Sequence, residues 1–261
     1  MVVEIKADAK ELRAALLNVI PHTDARIGTK DQFGYVILCV DEKQDENRMD
    51  IVATNGYSMA WAEINVDNST LGHPLNGPGS ASALIRKDVA SFLCESLKKK
   101  NDKVSMQFDM QDNDLFVYCG SQLYQGGLNH HIPMVNYRYL LKQQTVKHSA
   151  IVPKLSLKET IQSLRRTHTR THRARMQLKE GILSFDDKMK LAVEPLSMES
   201  DTSAEILINV DYLFKCMKNV LGGFVVMAFS THDQPIQIMQ QRGDGEDVRN
   251  IIMVLRKPKK Q

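Results

Sequence analysis

The chain repeats itself, and the repeat limits what it can fold into. Leu207–Val220 (LINVDYLFKCMKNV) parallels Leu84–Leu97 (LIRKDVASFLCESL), with Asp211 standing where Asp88 stands. Downstream, VVMAF from Val225 parallels VSMQF from Val104, Met227 answering Met106 and Phe229 answering Phe108. Upstream, residues 6–20 read as an amphipathic helix with Leu12, Leu16, Val19 and Ile20 on one side and Lys6, Lys10 and Arg13 on another; Pro21 ends it. Lys154–Arg165 (KLSLKETIQSLR) repeats that helix, with Leu157, Ile161 and Leu164 on one side and Lys154, Lys158 and Arg165 on the other. Each half therefore reads as helix, strands, helix, strands, which is an α+β unit used twice. A length of 261 residues gives each copy enough chain for its own core. The polar, basic stretch after Leu141 places the boundary: a first domain over 1–141, a linker over 142–147 and a second domain over 148–261.

Local signals fill in the units. Tyr35–Val40 (YVILCV) reads as a buried strand followed by a charged turn, DEKQDENR. Ile51–Ile64 (IVATNGYSMAWAEI) reads as two strands joined by a two-residue turn at Asn55-Gly56, the pair that most readily takes positive φ. Asp67–Ser82, rich in Gly, Pro, Asn and Ser, reads as a long loop. Ile85–Lys100 reads as a second helix carrying Val89, Phe92, Leu93 and Leu97 inward, before strands at Val104–Phe108 and Leu115–Cys119. Leu183–Phe185 and Met189–Val193 flank a turn at Asp186-Asp187. The segment from Asn129 to Leu141, NHHIPMVNYRYLL, has no clean period.

Composition excludes several classes. With 43% hydrophobic and 25% charged residues the chain is neither disordered nor a membrane protein in character, and no apolar run approaches the ~20 residues a membrane span needs. Charges at Glu4, Lys6, Asp8, Lys10 and Glu11 occupy the place of a signal peptide's apolar centre, so a cytoplasmic protein is expected. Cys39, Cys94, Cys119 and Cys216 form no C-x-x-C pair and read as reduced residues, mostly buried. A P-loop, G-x-G-x-x-G and G-x-S-x-G are all lacking, so neither an enzyme nor a cofactor is expected. His168 and His172 lie four apart, but no Glu follows the first and arginines surround both, which disfavours a metal site. His130 and His131 are adjacent and point in different directions.

Three segments carry a resemblance. VATNGYSMA resembles the VATDGHRLA-type hairpin in the middle domain of the bacterial DNA polymerase III beta subunit, the sliding clamp. PMVNYRYLL resembles that family's FPDYRRVL segment, and NIIMVLRK its terminal YVVMPMRL. The resemblance covers nearly the whole chain, matching the family's middle and third domains; its first domain has no counterpart. It implies two clamp domains, each with two helices packed on antiparallel sheets. Family rings contain six domains, so three copies of a two-domain chain would close one. The implied assembly is a head-to-tail homotrimer joined at strand edges. A two-domain form points to a virus or mobile element as the source.

The resemblance also implies two surfaces. Basic residues of the helices and of the run RRTHTRTHRAR would face duplex DNA without sequence preference: Lys6, Lys10, Arg13, Lys154, Lys158, Arg165, Arg166, Arg170, Arg173, Lys215 and Lys218. A hydrophobic pocket between the domains would receive peptide motifs of a replicative polymerase and other partners. Its residues here would be Thr54, Gly56, Tyr57, Ser58, Met59, Pro133, Tyr139, Pro235, Ile251, Met253, Val254, Leu255 and Arg256. Tyr57-Ser58 replaces a His-Arg pair, Val254 replaces a proline, and a Lys-Pro-Lys-Lys tail follows. An ATP-driven clamp loader is a further implied partner. Two other readings fit the same residues: a monomeric decoy or adaptor that binds clamp-partner peptides, and an open basic platform for RNA centred on Arg165–Arg175. Without the resemblance, the basic stripes are solvated helix faces and the pocket residues are ordinary hairpin and strand packing.

Overall fold

Each half of both units is built around a strand that leads directly into a helix. The computed structural model describes residues 2–24, 31–41, 48–68, 80–99, 102–109, 114–119, 122–127, 136–142, 146–169, 172–198, 204–218, 220, 222–229, 235–241 and 247–252. The chain divides into unit 1, Met1–Val135 with Arg242–Val248, and unit 2, Asn136–Gln241 with Arg249–Gln261. The division falls before a short helix that starts at Tyr137, ahead of the polar stretch where the sequence places the boundary.

In unit 1 the first half is β1 (Val2–Asp8), α1 (Ala9–Val19), β2 (Tyr35–Asp41), β3 (Arg48–Thr54) and β4 (Ser58–Asn68). The second half is β5 (Ser80–Arg86), α2 (Lys87–Ser96), β6 (Lys103–Asp109), β7 (Asp114–Cys119) and β8 (Gln122–Gly127). Each half lends its first strand to the other: β1 pairs antiparallel with β6, and β5 with β2. The circuit then closes, because β4 runs past β3 to pair Val66, Asp67 and Asn68 with Ala7, Lys6 and Ile5, and β8 meets β5 at Gly127 and Leu84. One core fills the unit, with Leu12, Leu16 and Val19 of α1 and Leu93 of α2 packed among strand residues such as Ile5, Leu38, Ile64 and Phe108. Burying side chains of this size contributes roughly 1.5–3 kcal/mol each relative to leaving them in water.

The first strand corrects the expectation of a helix from residue 6. In β1, Ile5 and Ala7 are buried while Lys6 is exposed, a period of two and not of 3.6. Asp8 ends that alternation and caps α1, its carboxylate accepting from Lys10 N at 2.8 Å and Glu11 N at 3.0 Å. The second helix is corrected in the same way, since Ser80–Arg86 is strand and α2 begins only at Lys87. Phe92, expected to point inward, is 65% exposed on α2. Ala90, Leu93 and Cys94 form the buried stripe instead.

Unit 2 follows the same plan. After α3 (Tyr137–Lys142) come β9 (His148–Pro153), α4 (Lys154–Thr167), β10 (Arg173–Lys179), β11 (Ile182–Phe185), β12 (Met189–Ala192) and β13 (Glu194–Met198). The second half is β14 (Ala204–Asn209), α5 (Val210–Lys218), β15 (Phe224–Phe229), β16 (Ile236–Gln241) and β17 (Asp247–Ile252). The exchange recurs, β9 pairing with β15 and β14 with β10. Its strands run β12-β11-β10-β14 in one sheet and β17-β16-β15-β9-β13 along the other. β12 and β13 together do what β4 does in unit 1: β12 pairs with β11, the chain breaks at Val193, and β13 pairs with β9. The turn expected at Asp186-Asp187 is present, with φ of 49° and 60° at the two residues. A separate core gathers Leu157, Ile161 and Leu164 of α4, Leu213 and Met217 of α5, and Phe185, Ile206 and Met227 of the strands.

Cys39, Cys94 and Cys216 are buried free thiols. Burial pushes the Cys216 and Cys94 thiols up, the nearby Arg13 charge partly offsetting the second. Among the described residues no helix is long and apolar enough to cross a membrane. Replacing the α1 cap, Asp8→Ala, is expected to lower stability by about 1 kcal/mol in urea unfolding followed by circular dichroism.

Candidate nucleic-acid and peptide interfaces

The hairpin is built differently from the expected two-residue turn. Thr54 ends β3 and Ser58 begins β4, so the loop is Asn55-Gly56-Tyr57. Of the three only Gly56 has positive φ, at 83°. Asn55 explains why: its Oδ1 accepts from Tyr57 N at 2.9 Å and Ser58 N at 2.8 Å, an Asx turn that organises the loop from its own side chain. Thr54 Oγ1 donates to Ser58 O at 2.9 Å and accepts from Gly56 N at 3.1 Å. Gly56 lies on Phe33, where an added Cβ would come within 2.9 Å of ring atom Cζ. Ser58 is turned inward at 1% exposure, and His22, itself fully buried, holds its hydroxyl at 3.0 Å through Nδ1.

The tip therefore projects one large side chain, Tyr57, which is 57% exposed. Thr54 and Met59 are buried with Ser58 and support the tip. His22 and Phe33 are parts of this site that sequence reasoning missed. Nothing local marks them, because His22 and Ser58 stand 36 positions apart. Of the other expected peptide contacts, Tyr139 is exposed on α3 and Pro235 is half-buried ahead of β16, both in unit 2. Pro133, Met253, Val254, Leu255 and Arg256 lie outside the described residues, as does the side chain of Ile251.

The basic residues divide by unit. Helices α1 and α2 balance Lys10, Arg13 and Lys87 against Glu11, Asp88 and Glu95. Helices α4 and α5 carry Lys154, Lys158, Arg165, Arg166, Lys215 and Lys218 against Glu159 and Asp211 only. Lys6 is on strand β1 and not on a helix face. Lys10 is exposed, and Arg13 is half-buried, its Nε wholly enclosed and its main chain beside Cys94.

In unit 2 two of the expected DNA contacts are engaged by neighbouring groups of the same unit. Lys154 Nζ donates to the Val220 carbonyl, while its backbone N–H donates to Gly223 O at 2.8 Å. Arg165 donates from Nε to Asp211 Oδ1 at 2.7 Å, and its guanidinium lies 4.1 Å from the centre of the Phe214 ring, which clips α4 to α5. Lys215 is half-buried and lies 5.4 Å over the Tyr212 ring. Lys158 is half-buried; Arg166, Arg173 and Lys218 are exposed; Arg170 lies outside the described residues.

The described residues of the arginine- and histidine-rich run belong to two elements. α4 ends at Thr167 and β10 starts at Arg173. His168 Nε2 sits 2.7 Å from Asp186 Oδ2 and His172 Nδ1 sits 2.8 Å from Asp211 Oδ2, so the two imidazoles face different carboxylates. Asp211 thus meets both Arg165 and His172, while Asp186 also accepts from Arg175 N at 2.8 Å.

Comparison with solved structures identifies the architecture. The chain superposes on a sliding clamp from Pseudomonas aeruginosa with a TM-score of 0.80 at 14% identity, covering 98% of this chain and 67% of that one. It matches a DNA polymerase III beta subunit from Thermotoga maritima with a TM-score of 0.77 at 15% identity, over 98% and 66% of the two chains. A DNA polymerase III beta subunit from Pseudomonas aeruginosa bound to griselimycin matches with a TM-score of 0.75 at 14% identity, over 97% and 65%. The chain therefore has the sliding-clamp fold and spans about 66% of the length of such proteins. No family model and no curated protein matches the sequence.

Two outcomes follow from the geometry. Gly56→Ala is expected to cost more than about 1 kcal/mol in thermal unfolding, because it combines positive φ with a clash against Phe33. A double-mutant cycle of Arg165→Ala and Asp211→Ala is expected to return a coupling of about 0.5–1 kcal/mol in urea unfolding, as for a partly exposed pair.

Proposed function

We infer that, with the clamp fold as its premise, this chain is a DNA sliding clamp, a non-enzymatic processivity factor working in the cytoplasm. It encircles duplex DNA as a head-to-tail homotrimer and tethers a replicative polymerase through the hairpin surface. The observation that carries this reading is the charge division of the helices, with the basic excess on α4 and α5 of a fold shared with sliding clamps. Lys158, Arg166, Arg173 and Lys218 are the contacts best suited to phosphates, and Arg170 belongs with them. Lys10 and Arg13 make a lesser contribution from α1, and Lys6 from β1. Arg165 acts first in joining α4 to α5, Lys154 holds the Val220 carbonyl and Lys215 lies over Tyr212 of its own helix, while all three add charge to unit 2. Such contacts hold a backbone without reading bases, so the ring can slide.

Unit 2 supports the head-to-tail joint. β13 is the end strand of its sheet and β12 of the other, and an unpaired strand edge is a template for another chain. Tethering works by effective concentration: a polymerase that lets go of the primer end stays within reach while its peptide remains on the ring. The candidate peptide contacts are Tyr57 and the loop around Gly56 in unit 1 and, taken separately, Tyr139, Pro235 and the segment from Ile251 to Arg256 in unit 2. Loading of a closed ring falls to an ATP-driven loader.

Light scattering over a concentration series is the first test, the expected mass being about three times the 29.6 kDa of one chain. A monomer throughout would sink the self-closing ring. On DNA, the trimer is expected to persist on nicked circles and to slide off linear duplex. Reversing charge with Lys158→Glu, Arg166→Glu and Arg173→Glu is expected to shorten retention and flatten its salt dependence by roughly 0.9 in logarithmic slope for each phosphate contact removed.

A further inference from the structure

The exposed tip of the hairpin is held from beneath by a residue that cannot touch a bound peptide. We propose that His22 is a positioning residue for peptide recognition, fixing Tyr57 through Ser58 and Asn55. This rests on the hairpin being the peptide surface.

The chain of contacts runs one way. Ser58 Oγ lies 3.0 Å from His22 Nδ1 and donates to Asn55 Oδ1 at 3.3 Å. A hydroxyl has a single proton, so both contacts are hydrogen bonds only when His22 Nδ1 carries a proton and donates. Asn55 Oδ1 is the same atom that receives the backbone N–H groups of Tyr57 and Ser58. The orientation of that oxygen therefore sets the backbone from which Tyr57 projects.

His22 is itself anchored. It ends the 3-10 turn Ile20–His22, which Thr23 closes by donating from both N and Oγ1 to Ile20 O at 3.1 and 2.8 Å. Asp24 N donates to Phe33 O at 2.6 Å, which brings to the tip the ring on which Gly56 rests. His22, Phe33 and Asn55 thus fix the loop from three sides and leave Tyr57 as its one projecting side chain. At the neighbouring position Ser58 is spent on this internal strut, so the tip presents an aromatic ring and no charge. The peptide it suits offers an apolar or aromatic face to Tyr57.

The test measures the affinity of the full chain for griselimycin, with thermal melting recorded for every variant. Tyr57→Ala is expected to weaken binding by about tenfold or more, and His22→Ala by a similar factor although the imidazole is fully buried. His22→Asn, whose amide can donate from near the place of Nδ1, is expected to restore binding; His22→Gln, which places its amide near Nε2, is not. A residue that only stabilises the fold would move the melting point of both variants and leave the affinity of the folded protein alike in both, and that result overturns the proposal. Unchanged binding by Tyr57→Ala overturns it as well. Failure of the unsubstituted chain to bind griselimycin would instead remove the peptide reading on which it rests. Should His22→Ala not fold, Ser58→Ala deletes the same contact from the other side and is expected to lose binding equally.

Discussion

Everything in this molecule depends on an exchange. The first strand of each half pairs with the first strand after the helix of the other half, giving β1 with β6, β5 with β2, β9 with β15 and β14 with β10. A half cannot complete its sheet alone, so two halves of related sequence are held together by backbone hydrogen bonds before any side chain is counted. The helices follow from that arrangement. Helices α1, α2, α4 and α5 each come directly after an exchanged strand, and their apolar stripes are carried onto the cores that the exchange creates.

The two units use the same plan for different ends. In unit 1, β4 is continuous and the strands close a circuit. In unit 2 the equivalent stretch breaks at Val193, with a bulge between Pro195 and Ser197, and both resulting strands are sheet edges. Proline cannot donate to a ladder and fits such a position. The charges separate as well, balanced on α1 and α2 and strongly basic on α4 and α5. Asp211 offsets part of that excess and at the same time joins Arg165 to His172.

The parts legible in the sequence are those with a local cause. The hairpin announces itself through Asn55-Gly56, the β11–β12 turn through Asp186-Asp187, and α4 through the spacing of Leu157, Ile161 and Leu164. The order of elements, seen as a repeat, gives the fold class. The opening strands were hidden because they run straight into helices. Arg86 and Pro153 stand before α2 and α4 without a capping side chain, so no start signal divides strand from helix. At β1 the spacing of Lys6, Lys10 and Arg13 imitates a helix face, although Ile5 and Ala7 already alternate. At the site, Tyr57 is visible in sequence as a departure from the resembled pattern, but the inward turn of Ser58 is not. It depends on His22 and Phe33, which reach the hairpin only once the chain has folded.

The exchange also sets a timetable for synthesis. Ile5 of β1 meets Met106 of β6, so β1 must wait for about a hundred further residues before this ladder can form. At 5–20 residues per second that is roughly 5–20 s on a translating ribosome. In unit 2 the corresponding partners, Ile151 and Val226, are closer along the chain, and the wait is shorter. Until β6 has been made, the buried face of β1, with Ile5 and Ala7, stays uncovered.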